Sequence, residues 1–102
     1  MSSVTEKENT AVIKPECDIV ASKAKEFRDE LKALITAGAV ELTIDLGSVE
    51  MVDSVGLGVF IAAQNSLVEV DGKLTVCNVS DDICKLFKTM RLDQHFAVTG
   101  RN

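Results

Sequence analysis

The sequence predicts a single small α/β domain, in which a mixed sheet of about four strands carries its helices mainly on one face. Three observations lead to this fold class. Apolar residues recur with strand and helix periods in the order β-α-β-α-β-α-β. The segment Val40 to Leu46 alternates apolar and polar residues, which indicates a strand with one buried face. A length of 102 residues suffices for one modest hydrophobic core, and no repeat or linker divides the chain.

The chain begins with polar residues and a short apolar run. We expect residues 1–9 to be flexible and the domain to occupy residues 10–102. The run Thr10 to Lys14 predicts the first strand, because Pro15 lacks the backbone N–H that a continued ladder would need.

The first helix is predicted from apolar residues at three- and four-residue spacing. Ser22 is a good N-cap residue, and Gly38 is expected just after the helix, where glycine adopts the left-handed conformation easily. The apolar positions of this helix are Ala24, Phe27, Leu31, Leu34 and Ile35.

The second helix is predicted from about Ser54 to Val68, after a loop at residues 47–52. Its expected core-facing stripe comprises Leu57, Phe60, Ile61, Gln64 and Val68. A third strand at Lys73 to Val79 follows a turn, and Phe96 to Thr99 predicts a short final strand. Ser80 is placed to cap a third helix, whose apolar positions are Ile83, Leu86, Phe87 and Met90.

Composition and charge argue against several classes of function. The net charge is −5, so no basic patch is available to displace counterions from nucleic-acid phosphates. The aromatic residues are four phenylalanines, too few for a base-stacking platform. No apolar stretch is long enough to cross a bilayer, and the N-terminus does not resemble a signal peptide. We therefore expect a cytoplasmic protein without direct membrane insertion.

An enzyme or metal site finds little support in the sequence. Cys17, Cys77 and Cys84 form no CxxC pair, and the lone His95 cannot complete a zinc set. We expect the cysteines to be reduced, buried apolar residues, with a redox adaptor as a second interpretation. No catalytic residue, metal ligand or cofactor is predicted.

The densest chemical signal is MVDSVGLGVF, residues 51–60. Asp53 and Ser54 stand where a loop becomes a helix, and both are good N-cap types. Gly56 and Gly58 fall in the first turn, where glycine costs about 1 kcal/mol relative to alanine. Their presence favours a flat surface or a close backbone approach.

A partner protein would suit this surface. Apolar residues outside the expected core stripe stand beside the Ser54 hydroxyl and form a small exposed patch. The predicted partner-binding residues are Asp53, Ser54, Val55, Gly56, Gly58, Val59 and Ala62.

Ser54 is also placed for phosphorylation. A phosphoryl group there would meet free backbone N–H groups and the positive end of the helix dipole, so the fold could tolerate it. It would add about −1.5 to −2 charges next to Asp53 and near Glu50, which would disfavour a docked partner. The other interpretation, in which Ser54 only caps the helix, remains open at this point.

The chain resembles the STAS family over nearly its whole length. The residues that carry the resemblance are Asp45-Leu46 at a strand end, Val52 to Gly58, Gly72-Lys73-Leu74, and Leu86-Phe87. The resemblance implies a bacterial anti-sigma factor antagonist. Such a protein binds a GHKL-type serine kinase, which is itself the anti-sigma factor, and is released when that kinase phosphorylates it.

By this resemblance Ser54 is the phosphoacceptor and Asp53 the acid that orients the site. A serine phosphatase would be a second partner. The sequence departs from the family pattern at Val55, where many members carry a second hydroxyl, and at residues 15–18, where a glycine-containing turn is common. STAS domains also serve as adaptors in stress-signalling, chemosensory and lipid-transport complexes. An adaptor that binds through the same helix face without phosphorylation is therefore the alternative.

Overall fold

The computed structural model describes residues 2–101. Its strands are β1 (Ser2–Lys7), β2 (Thr10–Pro15), β3 (Glu41–Asp45), β4 (Lys73–Val79) and β5 (Ala97–Gly100). Its helices are α1 (Ala21–Thr36), α2 (Ser54–Val68) and α3 (Asp81–Thr89), followed by a 3₁₀ turn at Leu92–Gln94.

The five strands form one mixed sheet in the order β1-β2-β3-β4-β5. β1 is antiparallel to β2, and the other neighbouring pairs are parallel. Each crossover from β2 to β5 moves one strand in the same direction, and right-handed connections then place every helix on the same face. The expected small α/β domain with a mixed sheet is confirmed, with five strands rather than four.

The additional strand is β1, which lies in the segment expected to be flexible. It pairs with β2 from Ser2 opposite Pro15 to Lys7 opposite Thr10. The backbone groups of the otherwise free β2 edge thus find partners. Most β1 side chains are exposed, so this strand has no apolar pattern by which the sequence could reveal it. The sheet therefore includes residues 2–7, which belong to the segment expected to be flexible.

Four phenylalanines meet in the core above the sheet. The ring of Phe60, on α2, lies 6.1 Å from Phe27, 5.3 Å from Phe87 and 6.5 Å from Phe96 between centroids. Phe60 is fully buried. This cluster packs α2 against α1 and α3 at the level of Phe60.

Helix ends agree with the sequence in most places. The helix α2 and the strand β4 have the predicted bounds. Gly38 adopts φ 112° after α1, and the Ser80 hydroxyl accepts a hydrogen bond from the Ile83 N–H at 3.3 Å, both as predicted. The predicted cap of α1 is wrong, because the helix begins at Ala21 and not after Ser22.

The buried face of α2 also differs from the prediction. Ile61 and Val68 are 42% and 58% exposed. The residues that are buried are Gly56, Leu57, Val59, Phe60, Ala63 and Leu67. The helix is apolar on nearly all sides, so its sequence does not mark which face is buried. Because α2 packs against α1 as well as against the sheet, the residues of α2 that face α1 are buried too.

Candidate functional site

The site lies at the edge of the sheet where the parallel strands end and α2 begins. The loop from β3 runs beside the segment that precedes α1, and Ile19 and Val52 form an isolated parallel bridge. The Ile19 N–H donates to the Met51 carbonyl at 3.0 Å, and the Asp53 N–H donates to the Ile19 carbonyl at 3.3 Å. These bonds bring the beginnings of α1 and α2 together.

A single carboxylate caps both helices. Asp53 Oδ1 accepts from the Gly56 N–H at 2.9 Å, and Oδ2 accepts from the Ala21 N–H at 2.9 Å. The Gly56 and Ala21 N–H groups hold the pKa of Asp53 below its ordinary value of 3.8. The α1 cap that the sequence assigned to Ser22 thus comes from a residue of the other helix.

Asp18 holds the loop in front of α2. Its Oδ1 accepts from the Glu50 N–H at 2.9 Å and from the Met51 N–H at 3.2 Å. This role of Asp18 is not predicted from the sequence. The sequence shows only an acidic residue shortly before α1. Its hydrogen-bond partners cannot be read from a local pattern, because they lie 32 and 33 residues further along the chain.

The Ser54 side chain is exposed at the first position of α2. Among the hydrogen bonds within residues 2–101, none involves its hydroxyl, and Asp53 is the N-cap residue. The interpretation in which Ser54 only caps the helix is therefore wrong.

The backbone near Ser54 is less open to an anion than the sequence suggested. Asp53 already takes the Gly56 N–H, and the Leu57 N–H donates to the Asp53 carbonyl at 2.9 Å. A phosphoryl group on Ser54 would still lie at the positive end of the helix dipole. It would share that position with the Asp53 carboxylate, which already accepts from the Gly56 N–H.

Exposed apolar side chains flank Ser54. Met51 is 58% exposed and Val55 is 47% exposed. Gly58 and Ala62 are exposed one and two turns further along the same side of α2. These five residues are called the Ser54 surface below.

Two predicted partner-binding residues face the interior instead. Val59 is 1% exposed and belongs to the core. Gly56 is buried, and a Cβ atom there would overlap the Ile19 carbonyl oxygen. A Cβ on Gly58 would meet nothing within 4 Å. The close backbone approach thus applies to Gly56 and the flat surface to Gly58.

The remaining sequence candidates are the three cysteines and His95. The three cysteines are free and half-buried, less buried than expected, and His95 is exposed. Burial and the nearby Asp45 carboxylate raise the pKa of the Cys77 thiol. The described residues contain no cluster of three His, Cys, Asp or Glu side chains that could hold a metal ion. None of the helices in residues 2–101 has the length and apolar character to cross a membrane.

Proteins with similar sequences indicate the family of this chain. A family model described as "Mlab, STAS domain" matches residues 2–99. The anti-sigma-B factor antagonist of Listeria monocytogenes serovar 1/2a is 34% identical over 71 residues, which are 70% of this chain and 62% of that protein. The matched stretch thus spans less than two thirds of that relative's length.

Solved structures show the same fold. An anti-sigma factor antagonist from Mycobacterium paratuberculosis gives a TM-score of 0.86 at 22% identity, covering 97% of this chain and 84% of that one. The Bacillus cell fate determinant SpoIIAA in its phosphorylated form gives 0.76 at 19% identity, covering 96% and 90%. The family model covers residues 2–99, which include the Ser54 surface, and it confirms the resemblance drawn from the sequence. The chain belongs to the STAS domain family.

Proposed function

We propose that this protein is an anti-sigma factor antagonist controlled by phosphorylation of Ser54. In its unphosphorylated form it binds a GHKL-type serine kinase that acts as the anti-sigma factor. Phosphorylation of Ser54 ends this binding, and a serine phosphatase restores it. The protein acts in the cytoplasm by binding, with no catalytic residue or cofactor of its own.

One observation carries the proposal. The Ser54 hydroxyl is exposed and makes no hydrogen bond within residues 2–101, while the neighbouring Asp53 caps the helix. Modification of Ser54 therefore breaks no bond of the described fold. Exposed Met51 and Val55 on either side give a partner apolar area to bury.

The names of the relatives agree with this role. The Listeria relative is an anti-sigma-B factor antagonist, and the structure of SpoIIAA includes a phosphorylated form. The first supports the antagonist role, and the second supports a phosphorylation switch.

The proposed chemistry takes place on the kinase. The kinase transfers the γ-phosphoryl group of Mg-ATP to the Ser54 Oγ, so an O–P bond forms while the bond to the β-phosphate oxygen breaks. ADP leaves, and the hydroxyl proton passes to a base of the kinase. The antagonist supplies only the positioned hydroxyl.

The resulting charge would weaken binding. The phosphoserine adds about −1.5 to −2 charges beside Asp53 and near Glu50, whose side chain is 75% exposed. A partner that buries Met51 and Val55 would have to remove water from this charge as well. Binding is then lost while the core and the caps stay in place.

The first experiment is phosphorylation by purified GHKL-type kinases from the same genome. Intact-mass analysis after incubation with Mg-ATP should show one added phosphate, which peptide mapping should assign to Ser54. The Ser54→Ala variant should gain none. Ser66→Ala is the matched control, because Ser66 is an exposed serine of the same helix, and it should be phosphorylated like the wild type. Phosphate on the Ser54→Ala variant would contradict the site assignment.

A second experiment tests the surface by affinity. Val55→Gln should weaken kinase binding by about tenfold, as expected when one well-buried contact of about 1.4 kcal/mol is lost. Val68→Gln, which changes an exposed valine at the far end of α2, should bind like the wild type. Equal affinity of the Val55→Gln variant and the wild type would show that the Ser54 surface is not the contact.

The apolar character of Val55 and Met51 also favours a second candidate, an adaptor that acts by binding alone. No phosphorylation by any GHKL-type kinase, together with loss of binding to a stress-signalling, chemosensory or lipid-transport component in Val55→Gln, would support this candidate and reject the switch.

A further inference from the structure

Arg101, which follows β5, inserts its guanidinium group into the loop that leads from β3 to Ser54. Nε donates to the Asn78 carbonyl at 3.0 Å. The acceptors around Nη2 are the carbonyl oxygens of Leu46 (3.0 Å), Val49 (3.1 Å) and Gly47 (3.2 Å) and a carboxylate oxygen of Glu50 (3.2 Å). The two hydrogens of Nη2 are shared among these four acceptors.

This arrangement favours arginine over lysine. The guanidinium places donors on two different atoms in one plane, so that it reaches Asn78 on one side and the loop on the other. An ammonium group is a single point and cannot span both. Hydrogen bonds from a charged donor are also about twice as strong as neutral ones.

One of these acceptors, the Asn78 carbonyl, lies in an irregular part of strand β4. Asn78 has φ 55°, in the left-handed region, and the pairing of β4 with β5 shifts register between Val76 and Val79. The Asn78 Nδ2 donates to Asp45 Oδ1 at 3.0 Å, which holds the irregular segment in place. The irregularity thus turns a main-chain carbonyl towards Arg101 instead of into the ladder.

The loop before Ser54 is therefore held from two sides. Asp18 accepts hydrogen bonds from the N–H groups of Glu50 and Met51. Arg101 donates to carbonyl groups of residues 46–49. Met51 follows this loop directly, and α2 begins at Ser54 three residues later.

We propose that Arg101 is a positioning residue that fixes residues 46–50 and thereby presents Met51 and Ser54 to the partner. Arg101 itself lies outside the Ser54 surface. The part that concerns the partner rests on the proposed function, whereas the hold on the loop does not.

Amide hydrogen exchange measured by NMR tests the hold on the loop. In Arg101→Gln, the exchange rates of the Glu50 and Met51 amides should rise about tenfold relative to the Phe60 amide in the core. Expressing the change against the core separates local loosening from a loss of global stability. Arg28→Gln removes an exposed arginine of α1 and should leave this ratio unchanged. An unchanged ratio in Arg101→Gln overturns the proposal.

The functional part uses the kinase that phosphorylates the wild-type protein. Arg101→Gln should lower kcat/KM for Ser54 phosphorylation about fivefold, Arg101→Lys less, and Arg28→Gln not at all. A loosened loop with unchanged kcat/KM would show that the position of the loop does not matter to the partner, which also overturns the proposal. If no kinase acts on the wild type, the proposed function fails, and hydrogen exchange alone decides whether Arg101 fixes the loop.

Discussion

Two glycines of α2, Gly56 and Gly58, provide a matched test of how the site is held. An alanine in the interior of a helix is favoured over glycine by about 1 kcal/mol. A Cβ on Gly58 meets nothing within 4 Å, so Gly58→Ala should stabilise the protein by about 0.5 to 1 kcal/mol.

The same change at Gly56 should have the opposite sign. The new Cβ would overlap the Ile19 carbonyl oxygen and lie 3.0 Å from Ile19 Cγ2 and from Val52 Cγ1. Overpacking costs about 1 to 3 kcal/mol. Displacing the carbonyl also loses its hydrogen bond from Asp53, at about 1 kcal/mol. Less the gain of about 1 kcal/mol in propensity, Gly56→Ala should destabilise the protein by about 1 to 3 kcal/mol.

Urea unfolding followed by far-ultraviolet circular dichroism would measure both changes, since the chain has no tryptophan or tyrosine for fluorescence. The two variants should differ by about 1.5 to 4 kcal/mol in the free energy of unfolding. A Gly56→Ala variant as stable as the wild type would refute the reasoning, because the beginnings of α1 and α2 would then not be in close contact.

The remaining predictions concern charge and accessibility. Because the folded pKa of Asp53 lies below 3.8, its contribution to stability is present above that pH and is lost as the pH falls through the folded pKa. The stability difference between wild type and Asp53→Asn should therefore shrink in acid unfolding experiments below about pH 3.8. Because its pKa is raised, the Cys77 thiol should react slowly with iodoacetamide at neutral pH, and Asp45→Asn should accelerate the reaction. An unchanged rate would show that the Asp45 carboxylate does not act on the thiol. Gly58→Ala should weaken kinase binding while it stabilises the fold, and a variant that binds like wild type would place Gly58 outside the contact.

The sequence predicts those elements whose ends carry a local signal. The helix α2 has its predicted bounds because Asp53 and Ser54 mark its beginning, and β4 follows the turn at Asp71-Gly72. The strand β1 has no such signal. Its residues are polar, and only the free edge of β2, which is a property of the assembled sheet, gives it a partner.

The exposure of Ser54 could likewise be predicted, but the environment around it could not. Gly56 lies against Ile19, in the segment before α1, and Val59 belongs to the core; an apolar helix sequence reveals neither. Asp18 and Arg101 act on loop atoms 32 to 55 residues away in the chain. Contacts of that separation depend on the topology of the sheet rather than on any local pattern.

Asp53 caps the helix and Ser54 does not, so phosphorylation of Ser54 would leave the helix caps in place. A serine at the end of a helix commonly accepts a backbone hydrogen bond, and a phosphoryl group would then disturb the helix it caps. Here the Asp53 carboxylate occupies the Gly56 and Ala21 N–H groups, so the two helices are joined independently of Ser54. A phosphoryl group on Ser54 would raise the local negative charge without removing a hydrogen bond of the described structure. Its effect would therefore fall on whatever contacts Met51 and Val55, which is where a change of charge alters partner affinity most directly.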